Sequence, residues 1–210
     1  MKNIVDASLI IPLKETFKEF DQLLGSFFSW SFLPKEIIII ESTTHQYEIK
    51  KNFLDFCDIN NINLNHIAKP NLFPGHARNI GIQIAKSEIL VFLDVLTIPD
   101  NDWFEKGYKL LSSNNFDGVW GKTIYAANSN KEQIIRASTY GAAPVKTFPG
   151  SFFKKNIFQK IGLFIESVRA GEDGDIFTRI EMHNLKMTNP SAYLQYVGLE
   201  KITYFDVIKK

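Results

Sequence analysis

Through the first half of the chain, apolar runs of strand length alternate with longer amphipathic stretches, and few architectures accept that alternation. Residues 7–11 read as a first strand closed by Pro12, and residues 17–28 place apolar side chains at helical spacing. A second strand at 37–40 ends at Glu41, a helix follows at 47–60, and a third strand occupies 64–68. A third helix at 77–86 leads to a fourth strand at 89–93, which ends at Asp94. Strands separated by helices pair in parallel, so the pattern predicts an α/β fold: a Rossmann-like, mostly parallel sheet flanked by helices. The carboxyl ends of such strands gather at one edge, where ligands bind, so Pro12, Glu41 and Asp94 are expected to converge.

Beyond Asp94 the pattern turns irregular. PDNDWFEKGYKLL reads as a helix start, with Asp102 as N-cap and Glu105 completing a capping box. Asp100, Asn101 and Asp102 also spell an acid-any-acid triplet, but an acid before an apolar periodic run satisfies free helix N–H groups without any ligand. A strand is expected near 119–125, a helix around 131–138, a glycine-alanine-proline loop at 141–144, an apolar segment at 148–153 and a helix at 172–184, followed by short strands and a lysine tail. No linker or repeat interrupts the 210 residues. They are read as one domain, with a first half at about 1–96 that binds one ligand and an irregular second half at about 97–210 that shapes the site for another.

Composition removes several classes of function. Lysines and arginines number 24 against 23 acids, so no net field favours nucleic acid or an anionic membrane. The single cysteine, Cys57, excludes an internal disulfide, fits a reducing compartment and reads as a small helix residue. No apolar run approaches a membrane span, and the start does not read as a signal peptide, so a soluble protein of the cytoplasm is expected, free or peripheral at the membrane. Eighteen phenylalanines exceed what the core needs, which suggests that some face a partner or a membrane.

Two stretches carry recognisable chemistry. In PGHARNIGI, Gly75 permits a tight turn into a helix whose free N–H groups, with Arg78 in the first turn, suit a diphosphate; His76 is a reserve cation. Arg78 equally suits an ion pair with a nearby acid, and His76 a plain loop position. In AGEDGDIFTRI, Glu172 and Asp173 stand at a helix start, a place for capping acids as well as for catalytic ones, and Asp175 and Arg179 are spaced for an i,i+4 pair.

Taken in order, SLIIP, EIIIIES, PGHARNIGIQIAKSEILVFLD and GSFFKKNIFQKIGLF with AGEDGDIFTRI resemble the inverting family 2 glycosyltransferases of the GT-A fold, over residues 8–197. The resemblance implies that Asp173 is the general base, remaining ionised at its helix start, and that Glu172 orients a sugar. It assigns Glu41 to the nucleotide base as a hydrogen-bond acceptor and places Pro12, Lys14, Glu15, Arg78 and Asp94 around the nucleotide sugar. Where the family usually continues after Pro12 with an aromatic and an asparagine, this chain has Leu13, Lys14 and Glu15. The family's acid-any-acid motif falls on Asp94, Val95 and Leu96, and a leucine cannot ligate Mg²⁺ or Mn²⁺. A late metal-ligating histidine of many relatives aligns with Tyr196, a poor hard-cation ligand. No metal ligand and no cofactor are therefore expected.

Trp120 and Tyr125 are candidates for stacking on an acceptor sugar, or for the core, and Tyr140, Phe148 and the 141–144 loop for a lid. The expected activity is inverting transfer from a nucleotide sugar, such as a UDP-sugar, to a hydroxyl of a glycan or lipid-linked acceptor in polysaccharide synthesis. The alternative is a degenerate module that binds a sugar nucleotide or glycan without chemistry. A nucleotidyltransferase is set aside because PLKETFKEF lacks the glycines of a phosphate loop. The missing Gln-x-x-Arg-Trp pattern of processive synthases points to single-residue transfer.

Overall fold

The computed structural model describes residues 2–113 and 115–203; the lysine tail lies outside them. Among the described residues, nine strands form one sheet. The chain runs β1 (Asn3–Leu13), α1 (Phe17–Ser26), β2 (Phe32–Ser42), α2 (Lys51–Ile59), β3 (Asn63–Lys69), α3 (Pro74–Ile84), β4 (Ile89–Phe92), β5 (Thr97–Pro99) and α4 (Trp103–Ser112). It continues through β6 (Gly118–Tyr125), α5 (Asn130–Thr139), β7 (Val145–Lys154), α6 (Ile157–Ile161), α7 (Glu172–Met182), β8 (Met187–Thr188) and β9 (Leu194–Tyr196). The sheet order is β3-β2-β1-β4-β7-β6-β9-β5, with β8 beside β6.

The expected α/β alternation is present, and strand direction explains where a ligand fits. Strands β3, β2, β1 and β4 are parallel, with Leu13 opposite Glu41 and Ile10 opposite Phe92. Strand β7 then runs antiparallel to both β4 and β6, which restores the original direction in β6 and in its parallel neighbour β9. The ends of β1, β2, β4, β6 and β9 and the start of β7 therefore share one edge.

Side-chain alternation fills a core on each face. Leu9, Ile11, Ile37 and Ile39 meet Phe20, Phe27, Trp30, Phe53, Trp103 and Phe104 from α1, α2, α4 and the turn after α1. Ile10, Ile38 and Ile40 point the other way, onto Ala77 and Ile80 of α3, Ile157 and Phe158 of α6, and Ile176 and Ile180 of α7. Residues 37–40 are fully buried, each contributing roughly 1.5–3 kcal/mol by leaving water. That two-sided burial is why they read as an unbroken apolar run. The phenylalanine excess is spent largely in these cores; Phe17, Phe28 and Phe73 are the large exposed examples among the described residues. Cys57 is buried in α2, and burial pushes its thiol up to about 12.

Several local expectations change. Asp102 stands at the N-cap of α4 but makes no side-chain cap bond; its carboxylate pairs with Lys106 at 2.6 Å, and Glu105 accepts from Ser31 Oγ. Asp100 accepts from the Tyr193 backbone N–H at 2.9 Å, fastening the chain ahead of β9. Gly75 is an ordinary helical residue, and its requirement is close approach: a Cβ there would stand 2.6 Å from the Ile165 carbonyl oxygen. The Asp175–Arg179 pair forms as expected, with Arg179 also donating to the carbonyls of Ile161 and Leu163.

Candidate functional site

A cavity of about 520 Å³ follows the shared strand edge. At one end it is walled by Pro12 and Leu13 at the end of β1 with Lys14 just beyond, Ser42 at the end of β2, and Phe73 and Pro74 at the start of α3. At the other end stand Thr123 and Tyr125 of β6, Lys146 and Thr147 of β7, and Tyr196 of β9. Between them lie Asp94, Arg78, Glu172 and Asp173.

Arg78 organises this centre. Helix α3 packs its first turns into the fold, so the Arg78 side chain is only 3% exposed. One guanidinium nitrogen, Nη2, donates to Asp94 at 2.9 Å; the other, Nη1, donates to Glu172 at 2.9 Å and Asp173 at 3.1 Å. The Phe148 and Phe164 rings lie 5.4 and 5.5 Å from its central carbon. Burial pulls the guanidinium toward neutrality, but the fields of Asp94, Asp173 and Glu172 overcome that and hold it above its ordinary value. The arginine is therefore the shared partner of three acids rather than a free cation for the diphosphate. The ion-pair alternative left open by the sequence is the one that forms.

The acids reach this point by different routes. Asp94 follows β4, and its backbone carbonyl accepts from Thr97 N and Oγ1. Glu172 and Asp173 open α7 behind Gly171, whose φ of 92° lies in the left-handed region that glycine enters without strain. Glu172 is buried, whereas the Asp173 side chain is 33% exposed toward the cavity. Burial pushes the Asp173 carboxyl up, Arg78 pulls it down, and Asp94 and Glu172 push it up again, leaving it at about 7. The expectation of a fully ionised aspartate at a helix start is corrected: burial, aided by Asp94 and Glu172, outweighs Arg78.

Other expected site residues separate. Pro12 and Lys14 line the cavity; Glu15 does not, being exposed on a turn with φ 50°. Glu41 is fully buried and Ser42 takes its place on the wall. Its Oε2 accepts from Tyr47 N at 2.9 Å and from His66 Nε2 at 2.8 Å, and Oε1 is buried with no protein partner. Burial outweighs Glu41 in setting the His66 imidazole, which is held below its usual value, so a neutral ring donates here. Glu41 thus ties β2 to β3 and the segment before α2, and base contact by a cavity-facing carboxylate is corrected. His76 faces Glu166 at 3.7 Å instead of the cavity.

Trp120 is corrected from acceptor platform to core, packed edge-on against Phe153 and Phe177 with Lys146 Nζ 4.6 Å from its ring centre. Phe148 is fully buried, so it is floor rather than lid. Tyr125 does face the cavity, stacked on Tyr140 at 3.8 Å and 5.0 Å from Tyr196. Sequence reasoning missed Ser42, Phe73, Lys146 and Thr147. Pairing the 119–125 strand with a strand beginning at 145 is the signal that would have brought Lys146 and Thr147 to the edge.

A divalent cation does not fit these donors. Leu96 offers none, one Asp94 oxygen is bonded to Arg78, and burial with Tyr140 and Asp94 nearby pushes the Tyr196 phenol up to about 12, so it stays protonated. Among the described residues no three His, Cys, Asp or Glu side chains are grouped as metal ligands.

A curled α/β sheet with this edge cavity places the chain among the GT-A glycosyltransferases, and the solved structures it resembles agree. Crystal structures of S. aureus TarS 1-349 in complex with UDP-GlcNAc (TM-score 0.65, 18% identity, 91% of this chain and 58% of that one) and of GalNAc-T7 with UDP, GalNAc and Mn²⁺ (TM-score 0.65, 14% identity, 93% and 44%) share the fold. The chain belongs to glycosyl transferase family 2, whose model matches residues 8–170. Glycosyltransferase AglE of Haloferax volcanii is 24% identical over 164 residues, 75% of this chain and 51% of AglE. This chain thus spans about half the length of that relative. Among the described residues no helix is long and apolar enough to cross a membrane.

Proposed function

We propose that this chain transfers a sugar from a nucleotide-sugar donor to a hydroxyl of a glycan or lipid-linked acceptor, with inversion and without a divalent cation. The observation that carries the reading is Asp173: a carboxylate on the cavity wall, held at about 7 and fixed by Arg78 beside Asp94. A base poised near working pH is suited to take a hydroxyl proton. As it does so, the acceptor oxygen bonds to the anomeric carbon, and the electron pair of the breaking carbon–oxygen bond leaves with the diphosphate from the opposite face. A UDP-sugar is the favoured donor, since TarS binds UDP-GlcNAc and GalNAc-T7 binds UDP.

Charge on the wall supports the same roles. Lys14, Arg78 and Lys146 balance Asp94, Glu172 and Asp173, so the diphosphate finds little net field until the base is protonated. Lys14, exposed at the nucleotide end, is the cation available to the leaving group because Arg78 is already engaged. Asp94 lines the same cavity with one oxygen bonded to Arg78, and its second oxygen is the acceptor assigned to a donor-sugar hydroxyl in this reading.

Release of free nucleoside diphosphate from UDP-sugars in the presence of cell-derived glycans tests this. Asp173→Asn is expected to lower transfer by about 10² to 10⁴ while leaving donor affinity unchanged, with Asp175→Asn as the control. Leu96, without a donor atom at a metal position, favours the second reading, a binding module. That reading prevails where wild-type protein binds a UDP-sugar yet releases nothing above the Asp173→Asn background.

A further inference from the structure

Next to Arg78, in the middle of α3, stands Asn79, a residue type whose amide competes with the helix backbone and is unfavourable in helix interiors. It is buried, and its side-chain bonds all leave the helix. Nδ2 donates to the Phe164 carbonyl at 2.9 Å and to Glu166 Oε1 at 2.9 Å, while Oδ1 accepts from the Phe164 N–H at 2.8 Å. One amide thus satisfies both backbone groups of one residue, as a facing strand residue would. Phe164 has need of it. Residues 162–171 join α6 to α7 without helix or strand, and among the described residues 163–170 make no backbone-to-backbone hydrogen bond. Side chains hold the segment instead: Arg179 of α7 donates to the Leu163 carbonyl at 2.9 Å, and Asn79 of α3 takes Phe164.

This segment delivers the acids to the site. The Phe164 ring lies 5.5 Å from the central carbon of Arg78, and the Ile165 carbonyl rests where Gly75 has no Cβ. The segment ends at Gly171, from which Glu172 and Asp173 open α7 and bond to Arg78. We infer that Asn79 is a positioning residue for transfer: by pinning Phe164 to α3 it fixes the chain entering α7 and keeps Asp173 in register with Arg78. This rests on the transferase reading and adds the residue that aligns its base. Asn79 does not line the cavity, so it acts through the segment alone. Neighbouring residues of one helix divide the work, Arg78 holding the carboxylates and Asn79 the chain that brings them.

The test compares Asn79→Ala with Leu23→Ala, a truncation on α1 in the core of the opposite sheet face. Both variants should melt lower than wild type, the first through an unpartnered buried amide and the second through a cavity. Only Asn79→Ala should lower kcat, by at least about tenfold, with KM for the UDP-sugar within about twofold. It should also raise the titration midpoint of the Asp173 carboxyl, read by carboxyl-carbon NMR of the unliganded protein and identified by its absence from Asp173→Asn. The Arg78 bond favours the ionised form, and buried Ile176 and Ile180 keep α7 on its core, so the carboxyl loses that bond before it gains water. The other charged groups facing it, Asp94 after β4 and Glu172 on α7, both act against ionisation. Hydrogen exchange in the wild type needs no variant: the Phe164 amide should exchange at least about tenfold more slowly than those of Glu166 and Ser167.

The proposal is overturned where the Phe164 amide exchanges as fast as its neighbours, or where Asn79→Ala keeps both the kcat and the Asp173 midpoint of wild type. It is also overturned where Leu23→Ala shifts both to the same extent, because Asn79 would then stabilise the fold and nothing more. A wild type that binds a UDP-sugar and releases no nucleoside diphosphate removes the transferase reading instead. An Asp173 midpoint that still moves in Asn79→Ala, and not in Leu23→Ala, would then keep the alignment of the carboxylate by Asn79.

Discussion

At Asp173 the surroundings make an ordinary carboxylate into a group that titrates near neutrality, and the sign of that shift has two consequences. In the proposed transfer the ionised form is the base, so the rate should fall about tenfold per pH unit below about 7 and level off above it, a limb absent from Asp173→Asn. For stability the sign is opposite: a raised carboxyl favours the folded state below its unfolded value near 3.8, and this contribution is lost as pH rises through about 7. Asp173→Asn should therefore melt higher relative to wild type at pH 8 than at pH 5, measured by calorimetry. Glu41 carries a different expectation. Glu41→Gln puts an amide against the unpartnered Oε1 site and replaces a charged acceptor of two bonds, so unfolding should become easier by about 1–3 kcal/mol while UDP affinity stays constant. A loss of UDP affinity without loss of stability would return Glu41 to the base pocket. The helix start that carries Glu172 and Asp173 was legible from AGEDGDIFTRI, because residue order carries it. The ionisation of Asp173 was not, because Arg78 and Asp94 arrive from distant positions in the chain.

At the scale of elements, α3 shows how a helix transmits packing to chemistry. Its first turn lies against residues 164 and 165, and the absence of a Cβ at Gly75 allows the contact. Gly75→Ala would place a methyl 2.6 Å from a backbone oxygen, which cannot rotate away, with Glu172 Cγ 3.5 Å distant. The helix start must then move away from α7, lengthening the Arg78 bonds to Glu172 and Asp173. Overpacking of this kind costs about 1–3 kcal/mol, more than alanine's helix preference of about 1 kcal/mol returns. The variant is expected to melt lower by roughly 2–10 °C and to lose transfer more than UDP affinity. Transfer equal to wild type would show that α3 does not set the acid geometry. Strands β1, β2 and β4 were legible as unbroken apolar runs because both faces are buried, and the helices between them because each buries a periodic face. Strands β5 and β9 were not: three residues apiece carry no period, and their pairing depends on Asp100 holding Tyr193.

For the whole molecule, the altered metal positions become one site only in three dimensions. Leu96 and Tyr196 are 100 residues apart in sequence, yet the Val197 N–H donates to the Leu96 carbonyl at 2.9 Å and Thr97 pairs with Tyr196. Both positions therefore fall on one corner of the cavity, close to Asp94, and in the proposed reading the diphosphate is met by Lys14 and the helix start. Excess EDTA should accordingly leave UDP-sugar affinity within about twofold of its untreated value by calorimetry. A collapse on chelation would mean that the cavity recruits a cation through water and substrate oxygens alone. Restoring one ligand should not restore the ion: Leu96→Asp supplies a carboxylate, but Tyr196 stays protonated and one Asp94 oxygen stays with Arg78. Leu96→Asp combined with Tyr196→His brings an acid and an imidazole to the same corner, adjacent to the free oxygen of Asp94 and the donor's phosphates, which is a donor set Mn²⁺ accepts. UDP affinity should then rise at least about tenfold on adding Mn²⁺ in the double variant and remain flat in either single one. Mn²⁺ enhancement in Leu96→Asp alone would show that Tyr196 was never the missing half.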